Sequence, residues 1–347
     1  DLTTVDIVRR AVPHPDGTEV AVIVVDQDFI GDPGPDVVLD ADGDDAFGGR
    51  IVLLDAGTGE VNRVVELGAC QEPLAENFWG SNQSGYSPSG SWFYLIVDSS
   101  ECSEDVDEDT VLFDTSTWSE ERRLGDLYGL PYGEISFTAD ETQALVNFEF
   151  DRTELRSFPE FELLDTFEFG SFGEAPPVAR ITPDGGHFFL TYATFGEIRP
   201  GFWSIDRESF LGWGDRYEGQ SFDAVFTPDG SVLVMGNEST SLYNPATATL
   251  LLSLPTKGVQ SAAVSSVGSM AATASDGGNV ELWRLEGATP IEPPSGNVIG
   301  WLNPNWVIDG PSVAFRAFGD AGPVIFIDPA SGAVERELPT WAADFLP

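Results

Sequence analysis

Two stretches of this chain concentrate carboxylates at a density that invites chemistry. Between Asp26 and Gly49 stand Asp26, Asp28, Asp32, Asp36, Asp40, Asp42, Asp44 and Asp45. Between Asp98 and Asp109 stand Asp98, Glu101, Glu104, Asp105, Asp107, Glu108 and Asp109. Carboxylates this close repel one another unless water solvates them or a cation is shared. Calcium is the ion that suits them, because it takes about six to eight oxygens and tolerates irregular loops. Asp40-Ala41-Asp42-Gly43-Asp44-Asp45 has the alternating oxygens that open a calcium loop, which makes Asp40, Asp42, Asp44 and Asp45 the expected ligands. It is not an EF-hand, since Asp45 stands where that loop needs Gly and Ile51 where it needs a bidentate Glu. Calcium is the one cofactor the sequence suggests, and plain solvated loops are the alternative.

The remaining residue types narrow the chemistry. His14 and His187 are the only histidines, each beside a turn phrase, so a transition-metal site is not expected. No nucleophile elbow, phosphate loop or paired-cysteine ligand set occurs. The 58 acidic residues outnumber 16 basic ones, for a net charge of −42, and Lys257 is the single lysine. That balance excludes nucleic acid as a partner and disfavours anionic membranes. It fits solubility, adaptation to salt, or an affinity for cations and basic partners. No apolar run reaches the roughly 18 residues of a membrane span. The chain begins at Asp1 rather than Met, and the expectation is that a leader has been removed, placing the protein outside the cytoplasm.

These residues must be positioned by something, and a recurring phrase says what. Pro15-Asp16-Gly17, Pro88-Ser89-Gly90, Pro183-Asp184-Gly185 and Pro228-Asp229-Gly230 repeat it, with weaker echoes at Ala139-Asp140, Ser266-Val267-Gly268 and Pro304-Asn305. Each copy lies between two short apolar stretches. Starting points at 15, 88, 139, 183, 228, 266 and 304 give shortest intervals near the roughly 40–45 residues of a four-stranded propeller blade. One unit reads plainly: strands at Ala224–Phe226, Ser231–Met235, Ser241–Tyr243 and Thr249–Leu254, separated by Pro, Gly, Asn and Asp. Two residues before each phrase stand bulky side chains, and four before stand mostly small ones (Ala11, Ser84, Ala179, Ala224, Ala262), a taper that suits sheets converging on an axis. The expected fold is all-β, a seven-bladed β-propeller of four-stranded antiparallel blades, forming one domain over residues 1–347. The acidic stretches 26–49 and 98–109 are then insertions on one face, the top. Val334 to Leu338 can supply the last strand of the seventh blade.

The chain resembles the propellers of the YVTN and WD40-like families over nearly its whole length. The carriers are Phe226-Thr227-Pro228-Asp229-Gly230, Ile181-Thr182-Pro183-Asp184-Gly185, and Ser275-Asp276-Gly277-Gly278-Asn279-Val280-Glu281-Leu282-Trp283, which is similar to a WD40 third strand. Ile51 to Gly59 and Val324 to Gly332 resemble the third strand and turn of YVTN repeats. Most blades lack the Trp-Asp ending and Gly-His start of WD40 proper. Such motifs imply a fold and say little about function, because these scaffolds carry binding modules, lyases, lactonases and quinoproteins alike.

The blade map places the candidate sites. Cys70 lies in the connection from blade 1 to blade 2, and Cys102 between the second and third strands of blade 2. Both loops leave the top face, so a Cys70–Cys102 disulfide is expected, worth on the order of 3 kcal/mol for a loop of about 30 residues. It would fit a secreted, cell-surface or periplasmic setting. Five residues before each turn phrase stand Arg10, Gln83, Glu134, Val178, Asp223, Ser261 and Ile299, near the upper ends of the innermost strands. Top connections around them carry Trp79, Tyr128, Tyr132, Phe172, Trp213 and Tyr217. Polar groups beneath an aromatic rim make a ligand site, with Gln83, Glu134, Asp223, Trp79, Tyr128, Tyr132, Trp213 and Tyr217 as its members. The leading reading is a non-catalytic module that binds a protein or glycan through its top face. A divalent-cation-dependent hydrolase or lyase at the axial channel is the alternative, with Glu134 and Asp223 as ligands or base and Arg10 or Arg180 stabilising negative charge. A structural subunit of a surface assembly or homo-oligomer is the third reading, joined through exposed strand edges.

Overall fold

A computed structural model describes residues 6–26, 49–56, 58–67, 72–73, 84–98, 108–124, 135–148, 152–168, 179–194, 197–215, 217–218, 224–236, 239–264, 268–275, 280–291, 313–316, 324–327 and 334–338. Among them every regular element is a strand. In the first of two compact units, β1 (Asp6–Pro13), β2 (Glu19–Asp26), β3 (Gly49–Asp55) and β4 (Val61–Glu66) form one antiparallel sheet in chain order. The second sheet of that unit holds β5 (Glu72–Pro73), β6 (Ser84–Tyr86), β7 (Trp92–Asp98), β8 (Glu108–Asp114) and β9 (Ser119–Arg123).

The second unit contains the remaining sheets. One is β10 (Ile135–Phe137), β11 (Gln143–Phe148), β12 (Arg152–Ser157) and β13 (Leu163–Glu168). The next is β14 (Ala179–Ile181), β15 (His187–Thr194), β16 (Glu197–Ser204) and β17 (Ser209–Trp213), with β18 (Tyr217–Glu218) also paired to β16. Two more four-stranded sheets follow: β19 (Ala224–Phe226), β20 (Val232–Met235), β21 (Thr240–Asn244), β22 (Thr249–Leu254), then β23 (Val259–Val264), β24 (Met270–Ser275), β25 (Val280–Arg284), β26 (Thr289–Ile291). The last described sheet is β27 (Val313–Arg316), β28 (Val324–Ile327) and β29 (Val334–Leu338). The result is a β-propeller-like all-β fold.

Why these segments are strands follows from burial on both faces. Val20–Val24, Phe93–Val97 and Val232–Met235 are continuous apolar runs rather than alternating ones, because a second strand is sandwiched between neighbouring sheets. Small residues at the innermost strands (Ser84, Ala179, Ala224, Ala262) are fully buried, as the taper required. The cores lie between consecutive sheets. Leu145, Leu155 and Phe167 meet Ile181, Phe188 and Leu190; Phe189 and Phe202 meet Ala224, Val232 and Tyr243.

The recurring phrase is a hydrogen-bonded turn. Thr182 Oγ1 donates to Asp184 Oδ1 (2.6 Å) and accepts from His187 N (3.0 Å), while Asp184 Oδ1 also accepts from Gly186 N (3.0 Å). Thr138 and Asp140 repeat this, as do Thr227 and Asp229. The turns also touch across sheets. Ala139 N donates to Pro183 O at 2.8 Å, and Gly90 O lies 3.2 Å from His14 Nε2. Both histidines flank turns as expected, but His14 does more. Its Nδ1 is 2.7 Å from Asp16 Oδ1 and its ring packs edge-on against Tyr86, so it ties the first sheet to the second.

Candidate functional site

The two ends of the sheets are built differently. First-to-second-strand turns occupy 14–18, 87–91, 138–142, 182–186, 227–231 and 265–269, each of the same length. Third-to-fourth-strand turns occupy 56–60, 115–118, 158–162, 205–208, 245–248 and 285–288. At the other end, the second-to-third-strand connections range from 195–196 to 27–48, and those between sheets are also unequal. In an antiparallel sheet of consecutive strands, these variable connections share one end. Loops that vary on a constant scaffold are where recognition residues are usually carried.

Most of the expected site residues lie outside the described residues: Trp79, Gln83, Tyr128, Tyr132, Glu134 and Asp223, the calcium candidates Asp40, Asp42, Asp44 and Asp45, and Cys70 and Cys102. Gln83, Glu134 and Asp223 directly precede innermost strands β6, β10 and β19 in the chain. The backbone of Arg10 pairs with Ile23 just past a bulge in β1. Tyr217 opens β18 and pairs with Ile198.

Arg180 and Trp213 are described fully, and the fold does not bring them together. Arg180 sits on innermost strand β14, 7% exposed, opposite Phe189 and therefore on the face that carries Phe202. Trp213 ends outermost strand β17 and faces Gly201 and Leu190, on the opposite side of the sheet.

Trp213 instead belongs to an aromatic row. Phe188 stacks on Trp203 at 5.9 Å, Trp203 meets Phe210 at 5.1 Å, and Phe210 meets Trp213 at 4.9 Å. Residues three apart on a strand normally face opposite sides. Here a bulge inserts Leu211, because the register passes from Phe202↔Gly212 to Trp203↔Phe210, and both rings land on one face. Gly201 makes room: a Cβ there would come 2.9 Å from Trp213 Cζ3. The row runs from a buried end to an open one, with Phe210 38% and Trp213 46% exposed. The bulge and the glycine are what sequence reading missed.

The acidic stretch near Asp109 is partly structural. Strands claim Asp98, Glu108 and Asp109, leaving 99–107 between β7 and β8. The Asp109 carboxyl is buried, and burial pushes its pKa up against the pull of the Thr110 amide and of Arg123, 3.9 Å away. In β12, Glu154 is clamped between Arg156 (2.5 Å) and Arg152 (3.4 Å), with Arg156 Nη1 also donating to Phe161 O. This is a closed ion cluster that holds the third-to-fourth-strand turn. Among the described residues no group of three His, Cys, Asp or Glu could hold a metal, and no helix is long and apolar enough to cross a membrane.

No protein-family model matches the chain, and no curated protein matches it. Among solved structures it is similar to Kuenenia stuttgartiensis hydrazine synthase, with a TM-score of 0.57 at 15% identity over 98% of this chain and 97% of that one. At that identity the likeness concerns the fold alone.

Proposed function

We propose that this chain is a seven-bladed β-propeller of the YVTN/WD40-like kind, and that it acts as a non-catalytic binding module through its long-loop end. The observation that carries the reading is the asymmetry of the sheet ends. Turns of four or five residues recur at one end, while connections of very unequal length gather at the other. A scaffold held constant on one side and varied on the other is built to present loops. The acidic stretches of the first two blades and the aromatic connections belong to the varied end, and the carboxylates of those stretches favour a basic or neutral partner on the loops that carry them. We place the protein outside the cytoplasm, on the expectation that Cys70 and Cys102 pair.

The test is a loop graft. Residues 28–47 are replaced by a short Gly/Ser linker, and the variant is compared with the parent on arrays of basic peptides and of glycans. The expected result is a melting temperature within a few degrees of the parent and loss of the parent's ligands. Ligands retained in full by the graft would refute the role of this end.

A further inference from the structure

On the outer part of the β14–β18 sheet, one charged group has no counterpart among the described residues. Arg199 lies on β16, two residues before Gly201 and hence on the face that carries Trp203, Phe210 and Trp213. Its Nε is buried and has no hydrogen-bond partner, and Arg199 makes no ion pair among the described residues. Two other arginines of this unit have carboxylates: Arg156 bonds Glu154 and Phe161 O, and Arg152, whose Nε also lacks a hydrogen bond, lies 3.4 Å from Glu154. Burying part of a guanidinium without an acceptor is costly, and the cost is recovered when an acceptor arrives.

On the same face as Arg199 is an apolar surface of mutually tilted rings, held in place before any ligand binds. Phe210 is wedged between Trp203 and Trp213, and the Trp213 ring rests against the backbone of Gly201. Two exposed aromatic rings fixed by a bulge and a glycine cannot relax into the core. Successive residues on one face of a strand are about 7 Å apart, which is the reach of one sugar residue with its exocyclic carboxylate. We propose that Trp213, Phe210 and Arg199 bind an acidic saccharide, the apolar face of a pyranose lying on Trp213 and its carboxylate received by the Arg199 guanidinium. A planar fork of donors suits a carboxylate better than the point charge of a lysine would. Glu197, two residues before Arg199 on β16 and paired with Glu218, opposes an anionic ligand, so binding should weaken at low salt, while carboxylates farther away are screened beyond about 8 Å at physiological ionic strength.

The probe is tetragalacturonate, titrated calorimetrically at 0.15 M salt against the full chain, with maltotetraose and tetraglutamate as controls. Binding is expected at roughly 0.1–1 mM, with maltotetraose and tetraglutamate each at least tenfold weaker. Trp213→Ala and Arg199→Gln should each weaken tetragalacturonate at least tenfold. Arg199→Lys should recover little, whereas Leu251→Ala, at an exposed apolar position on a different sheet, should change nothing. Because Trp213 is half exposed, its loss is not expected to unfold the protein, and Arg199→Lys tests the site with the charge retained. No binding of tetragalacturonate to the parent, equal binding of tetraglutamate, or indifference to Arg199 and Trp213 would each overturn the proposal. None of these outcomes touches the loop graft, so the two readings fail separately.

Discussion

Gly90→Ala isolates the contact that joins the first two sheets. Gly90 has φ +75°, where a Cβ costs about 1–2 kcal/mol, offset by ~0.5 kcal/mol from a stiffer unfolded chain. A Cβ at this position would also overlap the His14 imidazole. The ring must move, giving up its contact with Gly90 O and its edge-on packing against Tyr86. Each of these is worth about 1 kcal/mol. Gly230 is the control: its φ is +83°, and a Cβ there meets nothing within 4 Å. Gly230→Ala should therefore cost ~1 kcal/mol and Gly90→Ala ~3 kcal/mol. At ~2 °C or more per kcal/mol, the two melting temperatures should differ by at least about 4 °C. Thermal melts followed by circular dichroism, confirmed by urea titration, make the comparison. The double variant Gly90→Ala/His14→Ala should cost less than the sum of its parts, because removing the ring removes the overlap. Equal losses at Gly90 and Gly230, or strict additivity with His14, would refute the idea that these turns hold neighbouring sheets together.

The other predictions address the turns and the acidic loops. The Thr138, Thr182 and Thr227 hydroxyls hold the Asp140, Asp184 and Asp229 carboxyls below the usual range. A carboxyl whose folded pKa is depressed stabilises the fold above its unfolded pKa and loses that contribution as pH falls through the folded one. The melting temperature should therefore decline as pH drops below ~4, and less steeply in Asp184→Asn. Glu208, exposed at φ +47°, should gain ~0.5–1 kcal/mol as Glu208→Gly, whereas Trp118, buried at φ +54°, should lose several kcal/mol as Trp118→Gly, both measured by urea unfolding. Adding calcium after EDTA treatment should raise the melting temperature if Asp40, Asp42, Asp44 and Asp45 share an ion, and no shift at millimolar calcium rejects that site.

The repeat was readable because its turns are chemically specific. A hydroxyl, a carboxylate and a left-handed glycine close the Thr182–Gly185 turn, and most copies keep two of the three, with His14, Ser89 or Glu141 replacing one of them. The third-to-fourth-strand turns needed the same left-handed backbone but filled it with Trp118, Phe161, Glu208, Ala248 and Ala288. At Phe161 packing against Phe158 offsets the strain, and outside Gly59 of the first sheet no glycine marks this position among the described residues. The aromatic platform was illegible for a related reason. Strand alternation assigns Phe210 and Trp213 to opposite faces, and one bulged residue, invisible in composition, reverses that assignment. Arg199 was missed because counting back from the turn phrases samples innermost strands alone, while this arginine lies one strand inside the outer edge. A repeat thus announces the positions that every blade shares. What distinguishes one blade, including a site that only one of them carries, has to be found where the shared pattern breaks.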